Sequence, residues 1–203
     1  TAATPVDQSF TVAKATLIVT ADAKSRVYGA ANPTLTATIT GYVNSETSAV
    51  ISGTPALSTG ATATSNVGGY PITAALGSLS ATNYRFSFTD GTLTVGKAAL
   101  TVTANNQTKV YGAANPALTA TITGFKNSET TAVLSGAAAV TTTATTTSTV
   151  GDYAITAAAG TLSATNYDFS FTAGTLTVTK APLTVTADAK SRTYGAAEPP
   201  FTA

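Results

Sequence analysis

Cysteine, histidine, methionine and tryptophan are all absent from the 203 residues. Without cysteine there is no disulfide scaffold, although that says nothing about the compartment in which the chain works. Without cysteine or histidine, the commonest nucleophile and general base are missing, leaving a scatter of Asp, Glu, Lys, Tyr and hydroxyls. No enzyme activity is expected, and no catalytic, cofactor-binding or metal-ligating residue is assigned. Charge is scarce as well, at 9% of residues with a formal net charge of +1. So even a balance argues against nucleic acid, whose polyanion is held by clustered Lys and Arg. Nor does any stretch approach the roughly 20 apolar residues that span a bilayer, so no membrane contact is expected within this segment.

Threonine and alanine are the commonest residues, and they recur in order. Residues 15–97 lie over 98–180 without a gap, an offset of 83 residues that sets Leu17 on Leu100, Tyr70 on Tyr153, Asn83-Tyr84 on Asn166-Tyr167 and Lys97 on Lys180. Roughly two-thirds of the positions are identical, and a period this long suits small domains in a row better than the coils of a solenoid. Residues 1–14 read as the C-terminal tail of a preceding repeat, since Phe10-Thr11-Val12-Ala13-Lys14 matches Leu93-Thr94-Val95-Gly96-Lys97. Residues 181–203 read as the N-terminal part of a following one. The expectation is a window on a longer periodic polymer.

The class expected is mostly β: tandem small sheet domains with at most one short helix each, set end to end as a rod. Thr and Val suit a pleated backbone because branching at Cβ restricts χ1 in a way strands accommodate. Leu17, Val19 and Ala21 alternate with polar neighbours, as do Leu35, Ala37 and Ile39, and then Tyr70, Ile72 and Ala74. Gly29 is placed in a turn after Val27-Tyr28. Tyr84, Phe86 and Phe88 lead through Asp90-Gly91 into Leu93 and Val95, which predicts a hairpin. Asn44 to Gly53 offers a cap, an acid and a terminating glycine, predicting a turn or two of helix at Ser45 to Ile51 and again at Ser128 to Leu134. Inward parity flips across Lys97-Ala98-Ala99, marking a bulge or a boundary between two cores joined without a flexible linker. A compact unit of this size adds about 30 to 45 Å of reach.

The Leu-Thr-Val-Thr-Ala opening, the Tyr-Gly-Ala-Ala-Asn-Pro turn, Ile-Thr-Gly-Tyr or Ile-Thr-Gly-Phe before Asn-Ser-Glu-Thr, and Ser-Ala-Thr-Asn-Tyr ahead of the Phe pair recur in both copies. Together they resemble the MBG domain of the YGX type. The resemblance covers essentially the whole chain and implies β-grasp-like repeats of very large exported bacterial surface proteins, many with adhesin architecture. It implies an extracellular or cell-surface location and a stalk or filament role, and it brings no catalytic residues.

Several recurring residues invite sharper readings. Glu46 and Glu129 are the only acids kept in both complete units, and each is read as a dipole partner at a helix start rather than a catalytic group. Calcium needs six to eight oxygens, but Asp22 becomes Asn105, Asp90 becomes Ala173 and Asp152 replaces Gly69, so no acidic cluster repeats. Tyr28, Tyr111 and Tyr194 are read as turn anchors that bury the ring and bond through the hydroxyl, against an alternative of glycan stacking. Lys14, Lys97 and Lys180 are read as solvated junction residues, against a crosslink to Asn. The row Thr34, Thr36, Thr38 and Thr40 is read as a solvated outer strand face.

On function, the leading expectation is a shaft that supplies length and stiffness for adhesion or fibre formation. The alternative is a repeated binding module that contacts glycans or host and matrix surfaces by avidity. The partners expected are neighbouring repeats of the same chain, with lateral self-association through strand edges as a further route.

Overall fold

The computed structural model describes residues 8–203, so residues 1–7 of the expected preceding-repeat tail lie outside the described residues. The described chain is almost all β, with no α-helix. The strands of the first copy are β1 Ala15–Ala21, β2 Lys24–Val27, β3 Ala37–Thr40, β4 Ala56–Ser58, β5 Gly68–Ala75, β6 Tyr84–Thr89 and β7 Gly91–Gly96. Those of the second are β8 Ala98–Ala104, β9 Gln107–Val110, β10 Ala120–Thr123, β11 Ala139–Thr142, β12 Gly151–Ala158, β13 Tyr167–Thr172 and β14 Gly174–Thr179. Each begins 83 residues after its counterpart, so the tandem sheet domains expected from the sequence are present.

Cα packing divides the chain into two compact units. The first runs to Thr101 and takes in Thr123–Gly136 and Leu162–Ser170; the second comprises Val102–Ile122, Ala137–Thr161 and Phe171–Ala203.

In the first unit, β1 is the middle strand of the order β3-β1-β6, antiparallel to β3 and parallel to β6. A second sheet has the order β2-β7-β5-β4, in which β7 runs antiparallel to β5 and parallel to β2. Period-two alternation decides what is buried: Leu17, Val19 and Ala21 on β1, Ile72 and Ala74 on β5, and Leu93 and Val95 on β7 all point inward. Ala21, Ile72, Ala74 and Leu93 form a core cluster with Leu35, Leu57, Tyr70 and Phe88 packed against it, so residues from both sheets share one core. Because most of its members are small, its few large aliphatic side chains carry about 1.5 to 3 kcal/mol each. In the second unit, β11-β12-β14-β9 repeats the order of the four-stranded sheet, with Ile155, Leu176 and Val178 buried on it.

The Asp90-Gly91 hairpin does not form. β6 joins the sheet of β1 while β7 joins that of β5 and β2, so Asp90 is the point at which the chain changes sheets. Gly91 is required there because an added Cβ would lie 2.4 Å from the Ala21 carbonyl oxygen; Gly174 meets Ala104 in the same way. Asp90 accepts a bond from the Ala74 backbone N–H at 3.1 Å. Two short strands, β2 and β4, appear where the alternation gave no signal.

The expected helical turns shrink to single 3-10 turns, Ser48–Val50 and Thr131–Val133. Asn44 and Ser45 take left-handed backbone, with φ of 53° and 60°, and Thr47 rather than Asn44 is the cap. None of the three residues in either turn is buried, so no tertiary packing extends a segment too short to stand alone.

Residues 8–14 and 181–203 form no strand. A local lock nevertheless recurs in the latter: Asp188 N–H donates to the Thr202 carbonyl at 2.9 Å, as Asp22 does to Thr36 at 2.8 Å and Asn105 to Thr119 at 2.9 Å.

Replacing Gly91 by alanine is expected to lower stability by about 1 to 3 kcal/mol, because the clash is with fixed backbone. Gly96→Ala should stay within about 0.5 kcal/mol, since nothing lies closer to its added Cβ than 3.8 Å. Urea unfolding midpoints of the two variants check the contrast.

Candidate functional site

The YGX turn is held from behind. Asn32, at the end of Tyr28-Gly-Ala-Ala-Asn, donates to the Ala61 carbonyl at 2.7 Å and accepts from Arg26 Nε at 2.8 Å. Arg26 also donates to the Val27 carbonyl at 3.2 Å and to the Thr62 carbonyl. Lys109 takes the same place in the second copy, donating to the carbonyls of Ala113 and Thr145. These two are the buried charged side chains among the described residues, and both spend their protons on carbonyl oxygens. The arrangement fastens the turn to the loop around Ala61 to Val67, so the two present one surface.

In the first copy that surface is covered by residues of the second. The Tyr28 hydroxyl donates to Glu129 Oε1 at 2.6 Å, and the Tyr167 hydroxyl donates to Oε2 of the same carboxylate. Tyr167 in turn accepts from the Lys126 N–H at 2.9 Å, so its oxygen is fully engaged. The rings of Tyr28 and Tyr167 meet edge to face with centroids 5.5 Å apart, and Phe125 meets Tyr167 similarly at 5.9 Å. Such contacts add roughly 0.5 to 1.5 kcal/mol beyond area burial.

Beside this triad, Asn166 Oδ1 accepts from the Val67 N–H at 3.1 Å while its Nδ2 donates to Asn66 Oδ1 at 2.9 Å. The Lys126 side chain lies across Gly29, where an added Cβ would fall 2.4 Å from Lys126 Cβ. Lys97 reaches Asp168 at 3.3 Å, an exposed pair worth about 0 to 1 kcal/mol. A small cavity of about 170 Å³ lies against Asn66, Glu129, Val133, Asn166 and Tyr167.

Carboxylate and phenols shift one another. The Glu129 hydrogen bond, then burial, raises the Tyr28 hydroxyl above the ordinary tyrosine value, whereas burial first and the same carboxylate second push Tyr167 up to about 12. The site therefore stores neutral phenols against a charged acceptor. What the geometry does is hold two segments together.

The structure revises the sequence-based reading of several residues. Glu46 and Glu129 precede the cap instead of occupying a first helical turn, and they serve as phenol acceptors, Glu46 for Tyr84 and Glu129 for Tyr167 and Tyr28. Tyr28 is a buried anchor at 3% exposure, but Tyr111 and Tyr194 are 48% and 104% exposed, and Tyr28 bonds across the copies instead of within its own turn. Asp22 receives the hydroxyls of Thr36 and Thr38, so that part of the threonine row is engaged. Asn105 holds the equivalent threonines with its two amide ends, Nδ2 donating to the Thr119 hydroxyl and Oδ1 accepting from Thr121, so the contacts survive the loss of charge at that position. Lys14 donates to the Ala81 carbonyl at 3.2 Å. Among the described residues no group of three or more acids could hold a metal ion. Asn166 and Lys126 belong to the site without having been singled out; the identical Ser-Ala-Thr-Asn-Tyr of both copies carried the signal for Asn166.

Comparison with known proteins agrees with the repeat. A family model described as MBG domain (YGX type) matches residues 17–94 and again residues 100–177. No curated protein matches the chain.

Tyr28→Phe should cost about 1.5 to 3 kcal/mol, the range for a hydrogen bond to a charged group, whereas Tyr111→Phe should stay within about 0.5 kcal/mol. Because the folded chain holds the Tyr28 and Tyr167 protons more tightly than unfolded tyrosines, which titrate near 10, their stabilisation is complete below about pH 10 and is lost at higher pH, for Tyr167 as pH rises through about 12 and for Tyr28 as pH rises through its own raised value. Urea midpoints measured across that window should fall more steeply for the parent than for Tyr28→Phe.

Proposed function

The chain belongs to the MBG domain family of the YGX type, and from that premise we propose that it is a structural segment of a large repetitive exported protein, a stalk or filament that supplies length and stiffness at a bacterial surface. The observation that carries this reading is the joint: Glu129 accepts a hydroxyl hydrogen bond from each of two successive repeats, with Asn166 bonded across the same boundary. A repeat used only as a bead on a loose string has no need of such a joint, since flexible linkers already give reach.

The connection is equally short. β7 ends at Gly96 and β8 begins at Ala98, leaving Lys97 alone between them. A joint of this kind removes slack at every boundary, so length accumulates with copy number while the end-to-end distance stays near the contour length. Extracellular location follows from the family's occurrence in surface proteins and is part of the proposal, as are adhesion and filament formation. The low charge and the absence of Cys and His suit a passive spacer.

Electron microscopy of chains with two, four and six repeats tests the reading. Contour length should grow by about 30 to 45 Å per repeat, with a narrow spread of bend angles at each boundary. Randomly jointed images, or a length independent of repeat number, would show the reading to be wrong.

A further inference from the structure

One edge of the three-stranded sheet is left open in each copy. Asp22 N–H donates to the Thr36 carbonyl at 2.8 Å, and bonding alternates along an antiparallel pair, so Thr36, Thr38 and Thr40 turn their amides to β1 while Ala37 and Ile39 turn theirs outward. The outward N–H and carbonyl of Ala37 and Ile39 have no partner among the described residues. β10 repeats the edge: Asn105 N–H donates to the Thr119 carbonyl at 2.9 Å, which leaves Ala120 and Ile122 outward. Exposure of β3 and β10 is the same residue for residue, although one copy has a described repeat after it and the other a described repeat before it. The open edge is therefore not a product of where the sequence begins or ends.

Both edges carry one run, Leu35-Thr-Ala-Thr-Ile-Thr-Gly41 and Leu118-Thr-Ala-Thr-Ile-Thr-Gly124, with neither charge nor proline. Sheets commonly blunt an edge with one or the other. The opposite edge of the same sheet does so, with Arg85 on β6 and Asp168 on β13, and β4 follows Pro55. The side chains of Ala37 and Ile39 point to the core side yet stay half-buried, as do those of Ala120 and Ile122. An open depression of about 520 Å³ lies against Ala37, Ile39 and Tyr42, so an arriving strand meets space. On the outer face Asp22 holds Thr36 and Thr38, and Asn105 holds Thr119 and Thr121, which keeps the edge extended before any partner arrives.

We propose that this edge is a self-pairing surface: Thr36 to Thr40 of one chain lies antiparallel against the same strand, or its twin Thr119 to Thr123, of a second copy. With the twofold axis at Thr38, Ala37 faces Ile39 of the second copy and Ile39 faces its Ala37, and each pair exchanges both of its backbone hydrogen bonds. Large meets small on the core side. Thr38 meets Thr38 and Thr36 meets Thr40 on the outer face, pairs that strands favour. The occupant is a second copy because an antiparallel edge centred on one residue is its own complement, and no charge on either side opposes it. The three-stranded sheets of two copies then become one continuous sheet. This contact does not rest on the stalk reading.

So short a strand falls well below the roughly 20 to 30 residues a side of a stable interface, so its affinity is low. Sedimentation velocity of the 203-residue chain between about 10 μM and about 1 mM should show the weight-average mass rising above the monomer. Amide hydrogen exchange read by NMR locates the contact: Ala37, Ile39, Ala120 and Ile122 should gain protection with concentration, whereas Thr38 and Thr121, bonded within their sheets, should be protected throughout. Ala37→Pro together with Ala120→Pro removes outward donors, spares the ladders to β1 and β8, and should weaken association about tenfold or more. Thr40→Lys with Thr123→Lys changes exposed outer-face side chains and no backbone donor, and should act in the same direction, with circular dichroism unchanged in both variants. A monomer across the whole range overturns the proposal. So does association that leaves those outward amides exchanging as before, or that survives both pairs of substitutions.

Discussion

One carboxylate organises the boundary between repeats. Glu129 receives the Tyr28 hydroxyl on one oxygen and the Tyr167 hydroxyl on the other, so a single residue ties the turn of one repeat to the strand of the next. Each partner is prepared for it. Tyr167 is held in place by the Lys126 N–H, and Tyr28 sits on a turn fastened through Asn32 and Arg26 to the neighbouring loop. A charged acceptor makes stronger hydrogen bonds than neutral pairs do, and with two nearly buried phenols as its donors it is costly to leave half satisfied. The joint therefore favours one arrangement of the residues that build it.

The rest of the fold is economical in large side chains, and hydrogen bonding does much of the fixing. Short polar residues tie loops to strands at matching places in successive copies: Asp22 or Asn105 to threonines, Asn32 or Asn115 to a carbonyl, Ser78 or Thr161 to the loop opposite. Buried side-chain polar atoms without a partner do not occur among the described residues. This explains how the copies drift in charge without drifting in shape. Asp and Asn exchange because a threonine hydroxyl can donate to a carboxylate or accept from an amide, and Arg26 gives way to Lys109 where donors to carbonyls are needed.

Much of this was legible in the sequence, because alternation is a local property. Leu17, Val19 and Ala21, then Ile72 and Ala74, then Leu93 and Val95, are buried as the period of two requires. What local pattern does not carry is the sheet that a strand joins. Asp90-Gly91 has the composition of a hairpin, but the constraint on Gly91 comes from the Ala21 carbonyl some 70 residues earlier, and the two flanking strands part company there. Glu46 and Glu129 misled for a related reason. Their partners lie on a distant strand or, for Tyr28, in the other repeat, and an acid next to a cap looks the same whatever it bonds.

The central claim is that Tyr28 and Glu129 are energetically coupled across the repeat boundary. A double-mutant cycle in the intact chain, built from Tyr28→Phe, Glu129→Ala and the double variant and read by urea unfolding, measures that coupling directly. The account predicts an interaction energy of about 1 to 3 kcal/mol, with the double variant less destabilised than the sum of the single ones. An interaction energy within error of zero would contradict it.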